Sequence, residues 1–173
     1  MAAIFAFTCS CCGKVHEGSP SFAFEAPDHY ANLTEDQKGK MGELSSDFCT
    51  IAHEDRTDYF IRTVLEIPIH GVEEPFTWEI WVSLSKKSFD NYVETYDTPV
   101  EGEGYFGWVC NAIPNYPSGA SSRPAGVRVQ LGKQRPKILL HRGDPEDDPL
   151  VIDQYEGISV ERAQYLAEQA MHQ

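Results

Sequence analysis

The sequence is short of positive charge and empty of the common catalytic signatures. Its 14 lysines and arginines face 27 aspartates and glutamates, a formal balance of -13. Such a surface repels phosphate backbones and anionic lipid, so neither nucleic-acid binding nor membrane attachment is expected; the charge can steer a basic protein or a cationic ligand, and its ordinary use is plain solubility. No Gly-x-Ser-x-Gly elbow, His-Glu-x-x-His helix or glycine-rich phosphate loop ending in Lys-Ser/Thr occurs, which withdraws support from three large enzyme classes. A basic leader and a long apolar run are also missing; neither a signal peptide nor a membrane anchor is visible, and a cytoplasmic protein is expected. Five cysteines, an odd number with two of them adjacent, suit a reducing compartment better than a secreted disulfide framework.

What is present is a Cys-x-x-Cys-Gly turn, Cys9-Ser10-Cys11-Cys12-Gly13, entered from the apolar run Ile4-Phe5-Ala6-Phe7. Two sulfurs at this spacing converge on one tetrahedral Zn²⁺ when the backbone turns sharply, and Gly13 supplies the positive-φ freedom that the turn needs. A redox Cys-x-x-Cys would open a helix, and Gly13, Val15 and Gly18 start helices badly. No second Cys-x-x-Cys pair exists, so the remaining ligands of a structural zinc must be single residues. His16, four after Cys12, and Cys49 rank first. Cys49 and Cys110 both sit in apolar, strand-like contexts where a small buried thiol is the ordinary alternative. Cys11 is a spectator beside Cys12. His29, His53, His70, His141 and His172 follow no ligand spacing and read as surface or packed histidines.

With 173 residues and 41% hydrophobic content, the chain suits a single domain over 1–173, with 1–20 as its metal-knuckle-like N-terminal segment. A strand over 21–24 and a short helix capped by Thr34 precede the most definite region. There, residues 48–51, 59–69 and 76–84 are rich in β-branched and aromatic side chains and read as strands. In the last, Phe76, Trp78, Ile80, Val82 and Leu84 share the core face, and Trp81 on the other face is expected under a helix. Ser85 opens a helix whose Phe89, Tyr92, Val93 and Tyr96 form an apolar stripe. Strands over 105–110, 127–131 and 138–141 follow, and a helix from Ser159 presents Val160, Ala163, Ala167 and Ala170 on one face. The fold class is α+β, with a mainly antiparallel sheet, two or three helices and the N-terminal knuckle.

A pocket outside the knuckle would draw on Tyr105, Trp108, Asn111 and Tyr116, which cluster near Gly107 and two prolines, with Trp81 and Arg62 as further candidates. Arg62 in mid-strand needs a carboxylate if buried, and Glu66 or Glu79 can serve. The acidic run Asp144, Glu146, Asp147, Asp148 lacks the ligand alternation of a calcium loop and reads as solvated.

Taken in order, Phe7-Thr8-Cys9-Ser10-Cys11-Cys12-Gly13 with His16, Tyr59-Phe60-Ile61-Arg62, Leu65-Glu66-Ile67-Pro68, Trp81-Val82-Ser83-Leu84-Ser85, Tyr105-Phe106-Gly107-Trp108, Tyr116-Pro117, Arg135-Pro136 and Pro149-Leu150 form a recognisable series. The chain resembles the bacterial family called domain of unknown function 2199, over nearly its whole length. The resemblance implies a shared Cys-x-x-Cys-Gly-x-x-His head and no assigned reaction. The resemblance implies a small glycine where Glu79 stands and a histidine where Asp148 stands, and two departures from the family are expected there.

Together these features favour a zinc-stabilised, non-enzymatic interaction or regulatory domain. A metal-dependent or pocket-based enzyme and a small-molecule sensor are the alternatives.

Overall fold

The computed structural model describes residues 4–117, 123–143 and 148–172. Its centre is a five-stranded barrel. The strands β6 (Thr57–Ile67), β7 (Phe76–Leu84), β8 (Gly104–Val109), β9 (Pro124–Arg128) and β10 (Lys137–Leu140) pair successively antiparallel, and β10 returns parallel to β6 through Lys137 and Val64. The alternation read along 76–84 is what fills the barrel: Phe76, Trp78, Ile80, Val82 and Leu84 are buried together with Ile61, Leu65, Ile67, Val109, Val127, Ile138 and Leu140. Thr63, fully buried among them, donates its hydroxyl to the Ile80 carbonyl at 2.8 Å, which removes the desolvation cost of its polar atom.

Both long strands divide an edge between two neighbours. β7 pairs over its whole length with residues 59–67 of β6, while its other edge takes β3 (Ser21–Ala23) in parallel at Thr77–Glu79 and β8 at Val82 and Ser83. β6 likewise takes β5 (Phe48–Ala52) along Thr57–Ile61 and β10 at Val64; β4 (Gly42–Leu44) then pairs with β5. The crossing of β8 over β7 depends on Gly107, where a Cβ would lie 2.9 Å from the Ser83 carbonyl oxygen.

The described residues contain five helices rather than two or three: α1 (Asp28–Ala31), α2 (Glu35–Met41), α3 (Lys86–Glu94), α4 (Pro149–Glu156) and α5 (Val160–Met171). Thr34 forms a reciprocal capping box with Gln37, and Ser85 and Ser159 cap α3 and α5, as their residue types require. On α3 the stripe is narrower than expected. Phe89, Tyr92 and Tyr96 surround Phe48 at 6.0, 5.9 and 5.2 Å, but Val93 is exposed.

Trp81 lies outside the barrel interior and is nonetheless fully buried. It belongs to a second cluster with Cys49, Ile51, Phe60 and Cys110, against which Phe24, Tyr30, Leu33 and Met41 of the α1–α2 region pack. The other helical layer is α4 and α5. Gln154 of α4 accepts from Leu140 N–H at 2.8 Å and donates to the Ile138 carbonyl at 2.9 Å, satisfying the backbone of β10 where no strand does. Ala163, Leu166 and Ala167 of α5 are buried, whereas Val160, expected on the same face, is partly exposed. Of the acidic run, Asp144, Glu146 and Asp147 lie outside the described residues; Asp148 is the N-cap of α4, its side chain accepting from Leu150 N–H.

Candidate metal centre

The Cys-x-x-Cys-Gly turn joins two short strands, β1 (Ala6–Thr8) and β2 (Val15–Glu17), paired antiparallel with Phe7 opposite His16. Cys9 N–H donates to the Lys14 carbonyl at 2.8 Å and Gly13 N–H to the Cys9 carbonyl at 2.9 Å. Gly13 has φ 70°, a conformation that an L side chain rarely adopts. The hairpin is anchored by Phe5, Phe7 and Cys9, all part of the main hydrophobic core.

Cys9 is buried and Cys12 is exposed. His172, the C-cap residue of α5, brings Nε2 to 3.1 Å from Cys9 Sγ. The ligand atoms of Cys9, Cys12 and His172 lie within 4.8 Å of one another, so this trio can hold a metal ion. An ion there also sits at a helix C-terminus, where unsatisfied carbonyls favour positive charge. His16 approaches from the hairpin side, with Nε2 3.8 Å from Cys12 Sγ and its ring stacked on Phe7 at 5.2 Å. Around tetrahedral zinc, sulfur and nitrogen ligands stand about 3.6 Å apart and two sulfurs about 3.8 Å apart. The Cys12–His16 contact at 3.8 Å falls close to that edge length, whereas the Cys9–His172 contact at 3.1 Å is a hydrogen-bond distance that an ion would have to widen.

Burial works against ionisation of the Cys9 thiol. The N–H groups of Cys12 and Cys11, then His172 and the Cys12 side chain, outweigh it and lower the pKa from 9.0 to about 6. A depressed thiol pKa contributes stability that is present above the unfolded value and is lost as pH falls through the folded one. Metal-free protein should therefore lose stability on acidification between about pH 9 and pH 6. Metal affinity should decline with it, because protons compete for the sulfur. A chelator-competition titration against pH checks this, and affinity unchanged from pH 8 to pH 5 would contradict it.

Glu168, one turn before His172 on α5, ties the turn to the helix. It accepts from Ser10 N–H at 2.6 Å and from the Ser10 hydroxyl at 2.8 Å, and its carboxyl is lowered first by that backbone N–H, then by Gln164 and the Ser10 hydroxyl.

The family of uncharacterised proteins conserved in bacteria known as DUF2199 matches residues 8–158, from the strand before the turn to the loop after α4. The chain belongs to this family. No curated protein and no solved structure matches it. Glu79 and Asp148 both carry ion pairs in this DUF2199 member. Glu79 sits 3.1 Å from both Arg62 and Arg135, and Asp148 pairs with Arg123 at 3.0 Å.

The residues named from sequence as metal ligands divide. Cys9 and Cys12 lie together with His172, His16 reaches Cys12 at 3.8 Å without joining that trio, and Cys49 lies elsewhere. It is buried on β5 beside Ile51, Phe60, Trp81 and Cys110, and burial pushes its thiol up to about 12, favouring the neutral form that binds metal poorly. Cys110 is held neutral in the same way, pushed up to about 11. His172, set aside as a packed or surface histidine, takes the place expected for Cys49. His29, His53, His70 and His141 make other contacts: with Phe60, Asp58, the Glu156 carbonyl and Phe106 respectively.

The pocket residues do not assemble into one site. Arg62 is paired with Glu79 on the barrel exterior, Trp81 is in the second cluster, and Tyr105 meets Asn91 beside α3 at 2.7 Å. Trp108 is exposed against Phe106, while Asn111 is buried and bonds Trp81 N–H, Asp28 and the Ala26 carbonyl. The Tyr116 hydroxyl donates to Asp153 at 2.7 Å, inside a contact that also holds Arg162. Each of these groups is used in packing or in a local hydrogen-bond set. Among the described residues, no helix is long and apolar enough to cross a membrane.

Proposed function

We propose that this chain is a zinc-stapled, non-enzymatic interaction domain, in which one ion fastens the N-terminal hairpin to the C-terminal end of α5. The observation that carries this reading is the convergence of Cys9, Cys12 and His172 within 4.8 Å across 163 residues of sequence. Two thiolates and imidazole form a borderline-soft set that suits zinc, and His16, whose Nε2 is 3.8 Å from Cys12 Sγ, is the candidate fourth ligand. When bound, the ion supplies a rigid cross-link. Thiolate donation weakens it as a Lewis acid, and four protein ligands leave no position for substrate.

The unit runs over 1–173 with the hairpin as its metal-bound segment, a reading supported by Phe5, Phe7 and Cys9 packing in the main core. All five cysteines are free thiols, which suits a reducing compartment such as the cytoplasm. The balance of -13 favours a basic protein as partner, with affinity that falls as salt rises.

A second reading comes from the same distances. His16 stands outside the 4.8 Å trio, and if it never ligates, a three-residue zinc site keeps one open position, the arrangement of catalytic zinc. Elemental analysis and X-ray absorption on the zinc-loaded protein separate the two. The staple predicts one zinc with two sulfur and two histidine nitrogen neighbours. Two sulfurs, one nitrogen and one water oxygen establish the open site instead, and a protein that takes up no zinc defeats both.

A further inference from the structure

Three residues spaced four apart on α5 address three consecutive residues of the hairpin. Gln164, Glu168 and His172 share one helix face. Gln164 Nε2 donates to the Thr8 carbonyl at 3.3 Å, Glu168 receives both donors of Ser10, and His172 meets Cys9 Sγ. Gln164 also donates to Glu168 Oε1 at 3.1 Å, so the carboxylate has three donors and a fixed orientation.

Glu168 is an unusual residue to bury for packing alone. It is 7% exposed, yet it pairs with no lysine or arginine among the described residues. Its partners are instead Ser10, which lies between the ligands Cys9 and Cys12, and Gln164. A charge-assisted bond to a backbone N–H is among the stronger hydrogen bonds available. Here it holds the turn at a set height along α5, and that height decides whether His172 faces Cys9. The carboxylate is not itself part of the ligand trio.

We infer that Glu168 is the positioning residue of the metal centre: it locks the Cys9–Cys12 turn onto α5, so that the three ligands stand in place before an ion arrives. The inference rests on the reading of the site as a metal centre. Gln164 supports the same register one turn earlier. Residues that orient metal ligands without touching the ion are typically worth about 10- to 100-fold in affinity, and Glu168→Ala should weaken zinc binding to that extent. Glu168→Gln keeps an acceptor for Ser10 N–H and should recover most of the loss.

The test is a zinc competition titration against a chromophoric chelator on the full chain, for wild type, Glu168→Ala and Glu168→Gln, alongside thermal unfolding of each protein with and without zinc. A positioning role shows as weaker zinc affinity in Glu168→Ala, with rescue in Glu168→Gln. A merely structural role lowers the unfolding midpoint of both forms equally and leaves affinity unchanged, and that result overturns the inference. If Glu168→Ala does not fold, Ser10→Ala removes only the hydroxyl donor. It should bind zinc several-fold more weakly, and wild-type affinity in that variant overturns the inference equally. Wild-type protein that binds no zinc fails at an earlier step and rejects the metal centre itself.

Discussion

Replacing Cys9 by serine is expected to strip zinc from the protein and to lower its unfolding midpoint by roughly 10 °C in metal-replete buffer. Among the proposed ligands, Cys9 has most to lose. It is buried, its sulfur receives two backbone N–H groups, and it is the atom that His172 touches. A serine oxygen is a harder, far less acidic donor and leaves those N–H groups without a thiolate. An ion that binds only the folded state stabilises by about 2.7 kcal/mol at a hundred times its dissociation constant and by about 4.1 at a thousand times. For a chain of this size each kcal/mol moves the midpoint by about 2–4 °C, which gives the quoted shift. Two controls sharpen the result. Chelator-treated wild type should fall toward the Cys9→Ser midpoint and stay above it at neutral pH, because it keeps the Cys9 thiolate, and Cys11→Ser, altering an exposed spectator thiol, should change neither zinc content nor midpoint. Stoichiometric zinc retained by Cys9→Ser would refute the ligand assignment.

Trp81→Ala should be the most damaging substitution away from the metal. Its indole is fully buried on the outer face of the barrel and is the largest side chain of the second cluster, and Nε1 donates to the Phe24 carbonyl at 2.9 Å. Truncating a buried tryptophan costs about 3–5 kcal/mol through lost burial and the cavity left behind. The orphaned carbonyl adds about 1 kcal/mol more unless water reaches it. Urea unfolding measures the loss. A cost below about 2 kcal/mol would show that α1 and α2 collapse onto the vacated site. Zinc content should remain that of wild type, because the cluster and the metal centre share no residue.

The long strands were legible because their side chains alternate cleanly. Residues 76–84 form a strand with the expected inward face, and Thr34, Ser85 and Ser159 mark the helix starts observed. Closure of the barrel was not legible, since it depends on the return of β10 to β6 at Lys137 and Val64, a contact with no local signature. β9 begins at Pro124, three residues before the expected start, because Pro, Ala and Gly are weak strand formers and pairing with β8 and β10 overrides propensity there. The start of α4 was written in Asp148-Pro149, an N-cap followed by proline in the first turn, but lay hidden behind an acidic run.

The same division applies to the site. Cys9, Cys12, Gly13 and His16 lie within one hairpin, so spacing reveals them. His172 is delivered by tertiary packing, and the available hint was the polar series Gln164, Glu168, His172 running at helical spacing beside an alanine face. Cys49 drew attention as a lone thiol. Its alternation with Ile51 on a strand already pointed to the interior, where a neutral thiol is favoured.

In the proposed site, the 163-residue separation of Cys9 from His172 would also set an order of events during synthesis. The hairpin leaves the ribosome with its thiols uncapped, and they stay so until residue 172 has emerged and its helix has folded against them. Throughout that interval the nascent chain can be claimed by a stray oxidant or a more thiophilic cation such as copper(I), so the cell's reducing power and its metal supply both bear on the yield of correctly loaded protein.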